Sequence, residues 1–240
     1  MKRAFIAACL ATTALAWGQT YRPWSEANFT DAFVRTVEPP EIYPDGVPEH
    51  QGELPLTVVL LEKTNWTEAR ALRQLRRTAA IFAPCGIALG DVQLARGRGP
   101  DGRHDVDMSA LYPGADLPAD VVDFARRAAP DAAWPRIFLV GRLLGDTVLA
   151  RSYQQGAVAN EDSRLFPYMN TAWIAYRAHW DEAAGKEYSS LAHELAHVLC
   201  QCGHTGGDRR HLLHEKRNFL GAEVLEEDCI KMRLSPLLQP

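Results

Sequence analysis

Two histidines and a glutamate stand at a spacing that suits metal chemistry. Residues 191–199 read LAHELAHVL, so that His193 and His197 are four positions apart and Glu194 follows the first of them. On a helix, residues four apart lie on the same face, one turn from each other. Two imidazoles placed in this way can bind one zinc ion at about 2.0–2.1 Å. The spacing therefore predicts that His193 and His197 are zinc ligands.

Glu194 has the position that a general base requires. It follows the first predicted ligand directly and would reach a water on the ion from the same side. Zinc lowers the pKa of a bound water toward about 7, and a nearby carboxylate can then take its proton. We expect Glu194 to be the catalytic residue of a hydrolysis reaction.

A catalytic zinc needs a third protein ligand, and His204 is the residue that we expect to supply it. Gly203, directly before it, can end the helix and reverse the chain toward the metal. A glutamate third ligand, 18 residues after His197, would have to lie on a second helix. The alternatives that stay open are His211, His214 and Glu215.

The first residues predict export from the cell. Lys2 and Arg3 precede an apolar run over residues 4–16 that ends in Ala-Leu-Ala, which is typical of a secretory signal peptide cleaved near Ala16. No later stretch has the roughly 18 apolar residues that a membrane helix needs. We therefore expect a periplasmic or extracellular protein without a membrane span.

The composition indicates a globular protein and argues against nucleic acid as a partner. The chain of 240 residues is 47% hydrophobic and has a net charge of −4. Its basic residues are scattered, so no stripe is present that would bind phosphates. The oligomeric state has no signature in the sequence.

Four cysteines follow the predicted signal peptide: Cys85, Cys200, Cys202 and Cys229. An even number in an exported chain favours disulfides. A Cys200–Cys202 bridge closes a very tight ring and is expected to be strained. The other pairings join Cys85 and Cys229 to this pair, and a cysteine metal site is a competing interpretation. The sequence leaves the pairing open.

The elements that must position these residues follow from the apolar patterns. After the signal peptide, residues 17–53 predict an extended arm without a strong helix, and residues 54–240 form the catalytic domain. An Asn65 capping box begins a long amphipathic helix. Strands are predicted at 56–61, 87–95, 136–140, 148–153 and 171–176, and further helices at 118–128, 191–200 and 223–234. The predicted fold class is α+β. We expect an α/β-like N-terminal lobe, the predicted zinc-binding helix (191–200) at a cleft, and a small C-terminal lobe.

The stretch from His193 to His204 resembles the metzincin signature H-E-x-x-H-x-x-G-x-x-H. It differs in having Cys200 where the family has glycine, and in placing the third histidine one residue later. Metzincins also have a methionine in a turn below the metal. At the matching place this chain has Leu212 and Leu213, either of which could supply an apolar floor.

The resemblance implies a metzincin-like twisted mixed sheet with long helices. It further implies that residues 171–176 are the edge strand that binds a peptide by β-augmentation. The implied activity is that of an exported zinc metalloendopeptidase acting on a peptide or protein, with Zn2+ as its cofactor. The alternatives are a zinc peptidase with Glu215 as third ligand and a catalytically silent zinc-bearing protein that holds a peptide or cell-wall fragment.

Overall fold

A mixed β-sheet forms the centre of the molecule in the computed structural model, which describes residues 32–99, 105–107, 135–144, 150–153, 170–179, 189–214 and 221–240. Its strands are β1 (Ala32–Val37), β2 (Gly52–Leu61), β3 (Ile87–Gly97), β5 (Arg136–Val140), β7 (Ala150–Tyr153) and β8 (Thr171–Ala175). They are ordered β1-β3-β2-β5-β8-β7. Two short strands, β4 (Val106–Asp107) and β6 (Leu143–Leu144), pair with each other separately.

The four inner strands of the sheet are parallel, and the outer strands β1 and β7 run antiparallel to their neighbours. All residues of β5 and β8 are buried. Parallel strands that are covered on both faces are expected to be apolar along their whole length. This explains why these runs could be recognised in the sequence.

The helices are α1 (Pro39–Ile42), α2 (Glu68–Phe82), α3 (Ser190–Cys200) and α4 (Glu226–Arg233). Short 3-10 turns cover Ala83–Cys85 and Tyr176–His179. The helices predicted at 191–200 and 223–234 are confirmed with small shifts of their ends. With the mixed sheet, they confirm the predicted α+β class.

The predicted N-cap of α2 is wrong by two residues. The cap is Thr67, whose hydroxyl accepts a hydrogen bond from the backbone N–H of Arg70 at 3.3 Å. Asn65 lies before the helix, in a turn where the Thr64 hydroxyl accepts the N–H of Trp66 at 3.2 Å. That turn delays the helix, so Thr67 is the first residue able to cap it.

Part of the predicted N-terminal arm is a strand of the sheet. β1 pairs antiparallel with β3, from Ala32 opposite Arg96 to Val37 opposite Val92. The short α1 follows it. The division of the chain at residues 16 and 53 stays a prediction, and the signal peptide, the helix predicted at 118–128 and Glu215 lie outside the described residues.

The prediction that residues 171–176 form a sheet edge is wrong. β8 has a neighbour on each side, the parallel β5 and the antiparallel β7. Within the described ranges, β7 is the outermost strand on this side. A strand is predicted at 148–153, but its antiparallel pairing with β8 has no local pattern in the sequence.

None of the helices in the described ranges has the length and apolar character needed to cross a membrane.

Candidate metal centre

The helix α3 carries the H-E-x-x-H residues and is buried over its whole length. Its N-cap is Ser189, whose hydroxyl accepts the backbone N–H of Ala192 at 3.1 Å. The same hydroxyl donates to Gln74 Oε1 on α2 at 3.1 Å. Ser189 and Gln74 are both buried, so this contact joins the two helices through a polar pair inside the core. The start of α3 is therefore fixed in position by α2.

Three histidine side chains converge beside α3. The Nε2 atom of His193 lies 3.1 Å from Nε2 of His197 and 3.2 Å from Nε2 of His204. One ligand atom from each residue lies within 4.8 Å of the other two. Nitrogens bound at 2.0–2.1 Å to a tetrahedral ion would be about 3.3 Å apart. The spacing of the three rings thus fits a common metal ion, and the structure brings together the three predicted ligands.

Backbone carbonyls orient the two helical histidines. His193 Nδ1 is 2.6 Å from the carbonyl oxygen of Leu212, and His197 Nδ1 is 2.7 Å from that of Cys202. A carbonyl oxygen only accepts, so each Nδ1 must carry the proton and donate it. Each Nε2 is then left with a lone pair directed at the metal position. Partners of this kind fix the tautomer of metal-binding histidines.

The two helical histidines are held in the neutral form that metal binding requires. Burial lowers the pKa of His193 from 6.5 to about 4, against the opposing effect of the hydrogen bond to Leu212. Burial likewise lowers the pKa of His197 to about 4. Both rings are therefore uncharged at neutral pH, with no proton on the atom that would bind a metal.

Glu194 is buried beside these histidines. Its side chain is 7% exposed, similar to His193 at 7% and His197 at 8%. Its negative charge raises the pKa of His197, in opposition to the larger effect of burial. The carboxylate is therefore close enough to the histidine cluster to act on it electrostatically. A carboxylate in such a place is suited to accept a proton from a group at the metal position.

The residues from 205 to 214, here called the floor segment, include Leu212, whose carbonyl contacts His193. The Thr205 N–H donates to the backbone carbonyl of Leu213 at 2.8 Å. The Leu212 N–H donates to the backbone carbonyl of Glu223 at 2.7 Å. Leu212 and Leu213 are buried in the hydrophobic core, as expected of an apolar floor. The carbonyl that holds His193 therefore belongs to a segment fixed by the chain that follows it.

Gly221 allows the close approach that holds the floor segment. A Cβ atom at this position would overlap the backbone of Arg210, with its carbonyl carbon and oxygen closer than any contact allows. The Glu223 N–H donates to the same carbonyl of Arg210 at 3.0 Å. A side chain at residue 221 would push the two segments apart, so glycine is required here for packing.

The turn between the second and third histidines differs from the prediction. Gln201, and not Gly203, is the left-handed residue that ends α3, with φ of 51°, and its N–H donates to the carbonyl of His197. The chain therefore turns one residue after Cys200, the position at which the resembling signature has glycine. This later turn explains how His204 reaches the cluster despite its shifted position.

The cysteines pair as Cys85–Cys229 and Cys200–Cys202. The sequence left this pairing open, and the strain expected of the short bridge stays a prediction. The left-handed Gln201 brings the Cα atoms of Cys200 and Cys202 to 5.2 Å, within the range of about 4.4–6.8 Å that disulfides accept. Since all four sulfurs are bonded to each other in pairs, the interpretation of a cysteine metal site is wrong.

The alternative third ligands are not part of the cluster in the described chain. His211 and His214 lie in the floor segment and contribute no atom to the group of His193, His197 and His204. Glu215 is outside the described residues. His204 is exposed, in contrast to the two histidines on α3. Of the candidates that the structure describes, His204 is the one with a nitrogen at the metal position.

Sequence reasoning missed the two carbonyls that orient the histidines. A backbone oxygen has no signature in the sequence, and Leu212 attracted notice only as an apolar floor. For Cys202 a signal did exist, because a Cys-x-Cys pair directly after a metal-binding helix is unusual. The pair predicted either a disulfide or a cysteine metal site, and neither interpretation involves the backbone carbonyl of Cys202.

Comparison with known proteins supports the fold. A scan of protein-family models and a search of curated proteins gave no match. Among solved structures, the chain is similar to the crystal structure of metalloproteinase-II from Bacteroides fragilis, with a TM-score of 0.50 and 13% sequence identity. The match covers 78% of this chain and 53% of that protein, so this chain spans about half of its length. At this identity the likeness shows a metalloproteinase-like fold and nothing further.

Proposed function

We propose that this protein is a zinc metallopeptidase in which His193, His197 and His204 hold the metal. The observation that carries the proposal is the convergence of three Nε2 atoms, two of them oriented by backbone carbonyls. Three histidines with one open position is the ligand set of several catalytic zinc sites. The likeness in fold to a metalloproteinase supports the same conclusion.

In the proposed reaction, Glu194 is the catalytic residue of the protein itself. Zn2+ bound by the three histidines would supply Lewis-acid polarisation of a substrate carbonyl and lower the pKa of a water toward about 7. Glu194 would accept the proton of the attacking water and pass it to the amine nitrogen that leaves when the peptide bond breaks. Burial of Glu194 strengthens its interactions with such charges, because little water screens them.

The proposed substrate is a peptide or protein, and β7 is the strand that we expect to bind it. α3 packs against both β7 and β8, so the outermost strand lies next to the helix with the histidines. An extended peptide could pair with its outer edge by β-augmentation. The resemblance to metzincins implied such a strand, and the sheet order moves this role from β8 to β7.

We further propose that the protein is exported. Two disulfides are consistent with an oxidising compartment, since thiols stay reduced in the cytosol. The predicted signal peptide, cleaved near Ala16, agrees with this. N-terminal sequencing of the protein recovered from the periplasm or medium tests it, and an N-terminus near Trp17 is expected. Recovery of full-length protein from the cytoplasm alone would contradict export.

Metal content and turnover test the activity. Purified wild-type protein is expected to contain stoichiometric zinc, and His204→Ala is expected to lose it. Glu194→Gln keeps the size of the side chain but removes the base, so it should retain zinc while cleavage of a peptide library falls about 10²–10⁴-fold.

Three results would contradict the proposal in different ways. Wild-type protein without zinc, even after reconstitution, would remove the metallopeptidase assignment. Stoichiometric zinc without cleavage of any peptide would favour the catalytically silent binding protein instead. Zinc retained by His204→Ala would transfer the role of third ligand to another residue, with Glu215 as the first to examine.

A further inference from the structure

We propose that the Cys200–Cys202 disulfide is a positioning element of the metal site, which fixes the turn between the second and third histidines and thereby sets the affinity for the metal. The proposal rests on the proposed zinc site. It assigns to this bond a role in binding, beyond a contribution to the stability of the fold.

The first step of the argument is the contact between the turn and His197. The acceptor for His197 Nδ1 is the carbonyl of Cys202, at 2.7 Å, so one partner of the disulfide holds the ring of a ligand. The other partner, Cys200, is the last residue of α3, the helix that carries His197. The bond therefore joins the helix of the ligand to the carbonyl that orients its ring.

The second step is the conformation of the residue between the cysteines. Gln201 has φ of 51°, in the left-handed region that residues with a Cβ atom rarely adopt. Its side chain is exposed, so packing contributes little to holding it there. The disulfide closes the ring around Gln201 and retains this conformation, which a glycine would adopt without help.

The third step is the position of His204. This histidine is exposed, and the chain around it is fixed at two points only a few residues apart. Cys202 precedes it by two residues, and Thr205 follows it with an N–H that donates to Leu213 at 2.8 Å. Gly203, between them, has open space around it. Without the disulfide, the anchors on this side would be the helix end at Cys200 and the single hydrogen bond from His197 Nδ1 to the carbonyl of Cys202.

The affinity for zinc is the quantity that should change. We expect the apparent Kd for Zn2+, measured by competition with a chromophoric chelator, to rise about 10- to 100-fold in Cys200→Ser/Cys202→Ser, the usual effect of losing an outer partner of a ligand. The matched control is Cys85→Ser/Cys229→Ser, which removes the disulfide far along the chain from the turn. Its Kd should stay within about threefold of the wild-type value.

A second readout needs no metal and distinguishes positioning from general stability. Nitrogen-15 NMR of the imidazole rings in the metal-free protein should show His193 and His197 with the proton on Nδ1. In Cys200→Ser/Cys202→Ser, His197 should become a mixture of tautomers. His193 should keep its proton on Nδ1, because Leu212 is outside the turn, and it thus reports that the variant is folded.

A chemical route covers the case in which the serine variant does not fold. The cysteines of the other disulfide are 0% and 3% exposed, whereas Cys202 is partly exposed, so mild reduction of folded wild-type protein should open Cys200–Cys202 first. Alkylation with iodoacetamide then blocks the thiols, and mass spectrometry identifies them. The alkylated protein should show the same rise in Kd.

An unchanged Kd and an unchanged His197 tautomer after loss of the Cys200–Cys202 bond would overturn the proposal, even if wild-type protein binds zinc. Absence of zinc binding by the wild type would instead refute the proposed function. In that case the tautomer of His197 still decides whether the disulfide positions its ring.

Discussion

The two disulfides of this molecule differ in what they close. Cys85–Cys229 joins the end of the α2 region to α4 across 144 residues and is buried. Cys200–Cys202 spans two residues and lies at the turn that leads to His204. The long bridge is therefore expected to stabilise the fold, and the short bridge to shape the site. Loss of the first should lower mainly the free energy of unfolding, and loss of the second mainly the affinity for zinc.

The largest expected difference is in the free energy of unfolding that is lost when one or the other disulfide is removed. In the chain-entropy model, a loop as long as that of Cys85–Cys229 contributes roughly 5 kcal/mol, and a very short loop roughly 1 to 2 kcal/mol. We therefore expect Cys85→Ser/Cys229→Ser to lose several times more free energy of unfolding in urea than Cys200→Ser/Cys202→Ser. Equal losses would show that the short bridge also supports the fold.

The buried neutral histidines should make the metal-free protein less stable in acid. The pKa of His193 and of His197 is about 4 in the folded protein and 6.5 without burial. Between these values the unfolded chain binds protons that the folded chain does not, so the stability of the metal-free protein falls as the pH is lowered from about 6.5 toward about 4. The loss is up to about 3 kcal/mol for each histidine.

Urea unfolding of the metal-free protein at a series of pH values measures this effect. His197→Ala removes one of the two groups, so its stability should depend on pH about half as steeply over the same range. A slope identical to that of the wild type would show that His197 is not held neutral by burial.

Gly221 supports both the fold and the site, so a side chain at this position should weaken both. Gly221→Ala would force the backbone of Arg210 away, and we expect a loss of about 3 kcal/mol in the free energy of unfolding. The floor segment would move with Arg210, so the affinity for zinc should fall as well.

The matched control is Gly203→Ala, since this glycine has open space around it and no positive φ. Its free energy of unfolding should stay within about 0.5 kcal/mol of the wild-type value, the range of ordinary surface changes. Thermal unfolding and chelator competition on both variants measure the two effects. A tolerated Gly221→Ala would show that the floor segment does not need this close approach.

Removal of the N-cap of α2 or of α3 should cause the smallest losses of stability. Thr67→Ala removes an exposed cap of α2 at a cost of about 1 kcal/mol. Ser189→Ala removes the cap of α3 and also leaves Gln74 without its buried donor, so about 2 kcal/mol is expected. Differential scanning calorimetry of both variants tests the order, and a Thr67→Ala protein that is the less stable of the two would reverse it.

The parts of the fold that were predictable are those with a local pattern. The apolar runs of β2, β5 and β8, the periodicity of α2 and the spacing of His193 and His197 are each contained in one continuous stretch of sequence. The edge position of β7 was not predictable, because strand order depends on which distant strands pair. The N-cap of α2 was missed because the Thr64 hydroxyl holds a turn across Asn65.

In the candidate site, the three histidines that the structure brings together were predictable, and the contacts that orient them were not. His204 could be chosen since it follows the helix closely, although the turn is made by Gln201 and not by the glycine that the sequence favoured. The Leu212 carbonyl reaches His193 only because Glu223 and Gly221 hold the floor segment. Such contacts depend on the folded arrangement of segments and have no local pattern.

The hydrogen bond between Leu212 and Glu223 determines when, during synthesis of the chain, the site can be completed. Synthesis proceeds from the N-terminus, so α3 emerges with His193 and His197 before the floor segment exists and before residue 223 can hold it. A nascent chain that ends near residue 205 has all three histidines but lacks the carbonyl that orients the first. Strong capture of metal should therefore begin only after the chain has been extended beyond residue 223, late in biosynthesis.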